Sequence, residues 1–135
     1  MADIAIFNPA ALGKPLGLYS QIARVKAAEF VFIAGQVATD PAGNLVGADD
    51  FDAQCAQIFA NIAAALASVG AGWEHVVQFT TYLVDSQDIG RFMAYRGREF
   101  PRMLANGIYP PNTLLIVDRL VQEHLLIEVQ TVAAL

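Results

Sequence analysis

The stretch from Asp50 to Val84, DFDAQCAQIFANIAAALASVGAGWEHVVQFTTYLV, changes its hydrophobic period once, and that change decides the fold. Its first part places Phe51, Cys55, Ile58, Phe59, Ile62, Leu66 and Val69 on one helical face. Asp49 and Asp50 offer N-caps, and Gly70 is a natural stop after Val69. From His75 to Val84 the period becomes that of a strand. Val77, Phe79, Thr81 and Leu83 then share one face, and Val76, Gln78, Thr80 and Tyr82 the other. Trp73, after Gly70 and Gly72, reads as an anchor at the helix-to-strand turn.

Outward from this block the chain stays regular. Upstream, Leu16 to Ala23 reads as a first strand and Phe30 to Ala38 as an apolar second one, interrupted by Gly35 and Gln36. Asp40-Pro41-Ala42-Gly43-Asn44 has the residues of a turn. Downstream, Asp85 or Ser86 caps a second helix carrying Ile89, Phe92, Met93 and Phe100, which Pro101 ends or kinks. Thr113 to Arg119 and Leu125 to Ala133 read as two final strands around a turn at Val121 to His124. Helices separated by single strands predict one α+β domain over residues 1–135, a mixed β-sheet with both helices on one face. The other sheet face is then uncovered and half apolar, which predicts self-association.

Composition points the same way. Of 135 residues, 56% are hydrophobic and only 16% charged, against roughly 25% in an average globular chain. Disorder is excluded, and part of the surface is expected to be buried against copies of the chain. A net charge of −5, with Lys14 and Lys26 the only lysines and the arginines scattered, disfavours a nucleic-acid partner. Ala53 to Trp73 carries no charge, yet Gln54, Gln57, Asn61 and Ser68 lie inside it, so a buried amphipathic helix is expected rather than a membrane span. Its alanine-rich back can pack closely against something else. Asp3 stands where a signal peptide carries positive charge, and a lone cysteine fits a reducing compartment; a cytoplasmic location is expected.

Few residues can carry chemistry. His75 and His124 have no companion cysteines or carboxylates at ligand spacing, so no metal is expected. No G-x-S-x-G elbow and no phosphate loop is present. Cys55 falls on the apolar helix face and reads as an inert buried thiol. Glu128 is the informative residue. It interrupts the apolar run Leu125 to Val132 and shares a strand face with Leu126, Gln130 and Val132. It is either a strand carboxylate meeting solvent or a cation, or a carboxylate in a partly apolar pocket that exchanges protons with a substrate. Asn112, between two prolines and a strand, is a rigid uncharged donor and acceptor or a plain strand-start residue. Tyr19 and Ser20 follow Gly17 in a loop-like segment.

Taken in order, several segments resemble the YjgF/RidA family of reactive-intermediate (enamine/imine) deaminases. Gly17-Leu18-Tyr19-Ser20-Gln21 is similar to its N-terminal G-x-Y segment, and Phe32-Ile33-Ala34-Gly35-Gln36 to its first strong strand. Gly70-Ala71-Gly72-Trp73 with Val76 to Leu83 resembles the central block. Tyr109-Pro110-Pro111-Asn112-Thr113, Arg119-Leu120 and Ile127-Glu128-Val129 resemble the C-terminal signature. The resemblance implies a chorismate-mutase-like fold, a homotrimer with clefts between subunits, and hydrolysis of imines or enamines to a carbonyl compound and ammonia without a cofactor. It implies Glu128 as the catalytic residue and Tyr19, Asn112, Gly35 and Thr113 as substrate contacts. Asn112 is the departure: active members carry an arginine there that forks onto a substrate carboxylate, and an amide lacks that charge and fork. Met93 and Arg96 also depart, standing where many members have Asn and Tyr. Read as part of a strand from Thr113, Arg119 faces away from Asn112 and does not replace the missing arginine. The expected activity is hydrolysis of an imine anchored in some other way. The alternatives are a non-catalytic cleft that binds a small molecule or protein and, against the acidic charge, a ribonuclease.

Overall fold

Backbone pairing along the last strand organises the molecule. The computed structural model describes residues 1–135. Its elements are β1 (Asp3–Phe7), β2 (Ile22–Lys26), β3 (Phe30–Gln36), α1 (Phe51–Ser68), β4 (Val76–Leu83), α2 (Asp88–Met103), β5 (Asn112–Ile116) and β6 (Ile127–Ala134). β6 lies between β3 and β4, antiparallel to both, and β5 pairs parallel with β4, giving the order β3-β6-β4-β5. A parallel pair needs a crossover connection, and α2 supplies it. β1 and β2 form a separate antiparallel pair, with Asp3 opposite Lys26 and Phe7 opposite Ile22.

The expected first strand from Leu16 to Ala23 is not formed. Pairing begins only at Ile22, and Asp3–Phe7 is a strand the sequence reading missed. Pro15 has no N–H to donate, and Gly17 weakens an extended segment. Ser20 is the one point of contact with a sheet edge, through a bridge to Pro111. The final strands are shifted too: β5 starts at Asn112 and ends at Ile116, and β6 starts at Ile127.

α1 follows its periodicity. The Asp50 side chain accepts the Ala53 N–H at 3.1 Å and caps the helix, and Gly70 at φ +73° ends it. Phe51, Cys55, Ile58, Phe59, Ile62 and Leu66 are buried, whereas Val69, at the C-cap, is exposed. Gln54 is also fully buried but fully bonded: its amide donates to Gly47 O at 3.0 Å and His124 O at 2.7 Å and accepts Leu126 N–H at 2.8 Å. No helix is long and apolar enough to cross a membrane.

α2 starts at Asp88 with Gln87 as N-cap, while the Asp85 carboxylate accepts the Gln87 N–H at 2.8 Å in the turn before it. Pro101 does not end the helix, which runs on to Met103. The carbonyl that proline leaves unbonded belongs to Gly97, an exposed residue whose oxygen water can reach.

Both helices cover one sheet face. Phe59 sits at the centre of that layer, edge-on to Phe100 at 5.6 Å and Phe79 at 6.1 Å and stacked on Tyr95 at 5.8 Å. The opposite face alternates Phe32, 77% exposed, and Ala34 with Gln78, Thr80, Tyr82, Glu128 and Gln130, and no helix lies over it.

Candidate functional site

Ile127 and Val129 are completely buried in the core, so the strand period turns Glu128 onto the open face opposite Tyr82. β3 carries a bulge there: Ile33 pairs with Thr131 but Gln36 with Val129, leaving Ala34 and Gly35 together opposite Gln130. Gly35 lies directly against the glutamate. A Cβ built on it would run into the carboxylate and come within 2.7 Å of its Cδ and 2.9 Å of its Cγ. The glycine here meets a need for space, because its φ is not in the left-handed region.

Ala34, Gly35, Tyr82, Arg119, Glu128 and Gln130 line a shallow cavity of about 490 Å³. The Glu128 carboxylate takes part in none of the ion pairs of the chain. Arg119 donates through Nε to Leu120 O at 3.0 Å and through Nη1 to Glu123 at 3.2 Å. Sequence alternation predicted only that Arg119 faces away from Asn112. It reaches the glutamate's cavity because β5 stops at Ile116, and the chain turns before it. A larger concavity, about 890 Å³, opens beside the start of α1, but its carboxylates are engaged: Asp50 caps α1, Asp52 pairs with Arg98 at 2.7 Å, and Asp88 pairs with Arg91.

The remaining candidates form a second group. Asn112 pairs with Phe79 across β5 and β4, which turns it to the helix side, away from Glu128. Its side-chain oxygen accepts the buried Thr81 hydroxyl at 2.8 Å. Tyr19 lies beside the same strand end, since Ser20 N–H donates to Pro110 O at 3.4 Å. The Tyr19 hydroxyl accepts the Leu16 N–H at 3.1 Å. Thr113 is exposed on the open face, in line with Thr80 and Gln130. One chain therefore brings Gly35 and Glu128 together, with Thr113 on their face, and keeps Tyr19 and Asn112 apart from them.

Burial pushes the Cys55 thiol far up, which keeps it protonated. His75 Nδ1 accepts the Gly72 N–H at 3.0 Å, His124 Nδ1 lies 3.3 Å from Asp49, and no three His, Cys, Asp or Glu side chains are grouped to hold a metal ion. The sequence reading noted Arg96 only as a departure from the family pattern and not as a site candidate. Only 2% exposed, it lies over the Phe92 ring at 4.7 Å, and its Nε and Nη1 find no acceptor. Its place as i+4 from Phe92 and i−4 from Phe100, on the buried face of α2, was the available signal.

Residues 9–135 match the family described as endoribonuclease L-PSP. The chain belongs to the YjgF/RidA family. A RutC family protein of Synechocystis is 34% identical over 131 residues, spanning 96% of this chain and 95% of that one. A RutC family protein of Pyrococcus abyssi is 35% identical over 109 residues, spanning 78% and 84%. Among solved structures, a Rid-family protein of unknown function from Yersinia pestis, YyfB, superposes with a TM-score of 0.87 at 28% identity over 98% of both chains. RidA from an Antarctic Psychrobacter superposes with a TM-score of 0.67 at 29% identity over 90% of this chain and 92% of that one. The two helices on a mixed sheet are thus the Rid fold. Members of the family act on imine and enamine intermediates and are typically homotrimers.

Proposed function

We propose that this Rid protein hydrolyses a reactive imine to a carbonyl compound and ammonia, with Glu128 as general base. The observation that carries the reading is the Glu128 carboxylate itself: unpaired, half-buried, and seated on Gly35 in a cavity. A carboxylate so placed takes a proton from water as the water oxygen bonds to the C=N carbon. The C=N electron pair moves to nitrogen, which takes a proton from solvent water. The resulting carbinolamine expels ammonia as Glu128 returns its proton to the leaving nitrogen, and the hydroxyl gives its proton back to solvent as its C–O bond becomes C=O. Imine and water are consumed, and carbonyl and ammonia are released.

The site is completed by assembly. Tyr19 and Asn112 lie apart from Glu128 on one chain, and the open face around Glu128 exposes Phe32 and Leu115. Joining copies through this face into a trimer covers those side chains and sets the Tyr19–Asn112 group of one subunit toward the cavity of another.

The test uses short-lived imines made by an amino-acid oxidase, with a semicarbazide trap reporting the imine that survives. The wild type is expected to lower the trapped fraction. Glu128→Gln is expected to lose about 10²–10⁴-fold in rate while keeping the oligomer. Undiminished turnover in Glu128→Gln overturns the assignment. A second reading, ligand binding without turnover, is favoured by one observation: the Asn112 oxygen is already held by Thr81, and the amide brings no charge. Thermal stabilisation by carbonyl ligands without product formation supports that reading instead.

A further inference from the structure

The chain has six arginines. Arg91, Arg98, Arg102 and Arg119 are exposed and each pairs with a carboxylate, and Arg24 is exposed. Arg96 is the exception. It is 2% exposed, belongs to no ion pair, and leaves Nε and Nη1 buried without an acceptor. Burial pushes its pKa down, and nearby Tyr19 opposes that shift. The rings of Phe92 at 4.7 Å and Phe100 at 6.0 Å support its flat face. Such stacking fixes the plane of a guanidinium but leaves its in-plane N–H groups unsatisfied.

A buried cation lacking a counter-ion is costly, and native chains rarely keep one without a use. The geometry around Arg96 is also specific. A Cβ on Gly17 would come within 2.8 Å of Nη2 and 3.6 Å of the Met93 Cε, so the absence of a side chain at 17 is what lets the guanidinium rest there. The segment roofing it is turned by two bonds of its own, Tyr19 N–H to Gly17 O at 2.9 Å and Leu16 N–H to the Tyr19 hydroxyl at 3.1 Å. Leu16 is 84% exposed on one side of it, and Ser20 bonds to Pro110 on the other. Leu18, in the middle of the segment, packs against the hydrophobic core and fixes the strap over the guanidinium.

We infer that Arg96, under the Gly17–Tyr19 strap, takes the part that Asn112 cannot play and is this chain's anchor for a carboxylate on the substrate. This rests on the reading of Glu128 as an imine hydrolase, with Arg96 belonging to the Tyr19 half of the composite site. The planar guanidinium offers paired N–H donors to the two carboxylate oxygens, and the desolvated setting makes that bond stronger than at the surface. The amide of Asn112 has no such charge. The anchor thus sits on α2 and not at the start of β5.

A matched pair of substrates tests this. Leucine and an L-amino acid oxidase give a 2-imino acid, and isoamylamine and a flavin-dependent amine oxidase give the aldimine that lacks only the carboxylate. Both are assayed with wild type, Arg96→Met and Arg96→Lys, alongside melting temperatures with and without the product-like acid 2-oxo-4-methylpentanoate. The inference expects KM for the imino acid to rise about tenfold or more in Arg96→Met, with a smaller rise in Arg96→Lys and no change for the aldimine. It expects the keto acid to raise the wild-type Tm and not that of Arg96→Met, whose ligand-free Tm stays at or above wild type because an unpaired charge has been removed. Equal KM values, or equal protection of both proteins by the keto acid, overturn the anchor and leave the hydrolase reading standing. Loss of the oligomer in Arg96→Met also overturns it, because Arg96 then serves a carboxylate of a second subunit. If the wild type hydrolyses neither imine, the hydrolase reading fails, and the keto-acid shifts alone decide the anchor.

Discussion

The two faces of the sheet are built from the same strands and obey different rules. On the helix side, Phe79, Leu83, Ile127 and Val129 are buried under α1 and α2, and the aromatic contacts of Phe59 bind the layers. On the open side the same strands present Gln78, Thr80, Tyr82, Glu128 and Gln130 beside Phe32. The covered face is chosen by the free energy of removing apolar area from water. The open face is mixed, neither a core nor an ordinary solvated surface, and it holds Glu128 lodged against Gly35. The core is built on one face, and the proposed chemistry and assembly use the other.

Substitutions on the two faces test that division. Phe59→Ala, in the middle of the ring cluster, is expected to cost about 3–5 kcal/mol, read from denaturant midpoints. A loss under about 1 kcal/mol would show that the core collapses around the cavity. Thr131 lies on the covered face with its hydroxyl buried and unpartnered. Thr131→Val is expected to stabilise by about 1 kcal/mol, and a lower midpoint would show that the hydroxyl is satisfied inside the core, by a buried water. Phe32→Asp on the open face is expected to change folding of the chain by less than about 0.5 kcal/mol while dissociating the oligomer in sedimentation. An intact oligomer would mean that the open face is not the contact surface.

How much of this was legible in the sequence follows from how local each cause is. α1 and β4 were readable because their periods run long enough to repeat, and because Asp50 and Gly70 mark the helix ends chemically. β1 and β2 were not, since Asp3–Phe7 is short and its partner lies beyond a loop. Pro101 alone left open whether α2 ends or carries on, and the chain carries it two residues further, to Met103. Glu128 stood out as a charge within an apolar run. Gly35 entered only through the family resemblance, and its steric reason exists only across β3 and β6. Arg119 and Arg96 were opaque for opposite reasons. One needed the end of a strand to be known; the other needed a strap from the N-terminal segment to cover a helix face. The separation of Tyr19 and Asn112 from Glu128 is likewise a matter of sheet faces, and no motif spacing records it.

Gly35 and Glu128 share one volume, and that makes the order of change at the two positions matter. Enlarging residue 35 first expels the carboxylate from its seat, so the intermediate chain has lost its site before gaining anything. Shortening residue 128 first opens the room that a larger residue 35 can fill. A library built at one position explores almost nothing, whereas a library that varies both reaches side-chain pairs that single steps cannot.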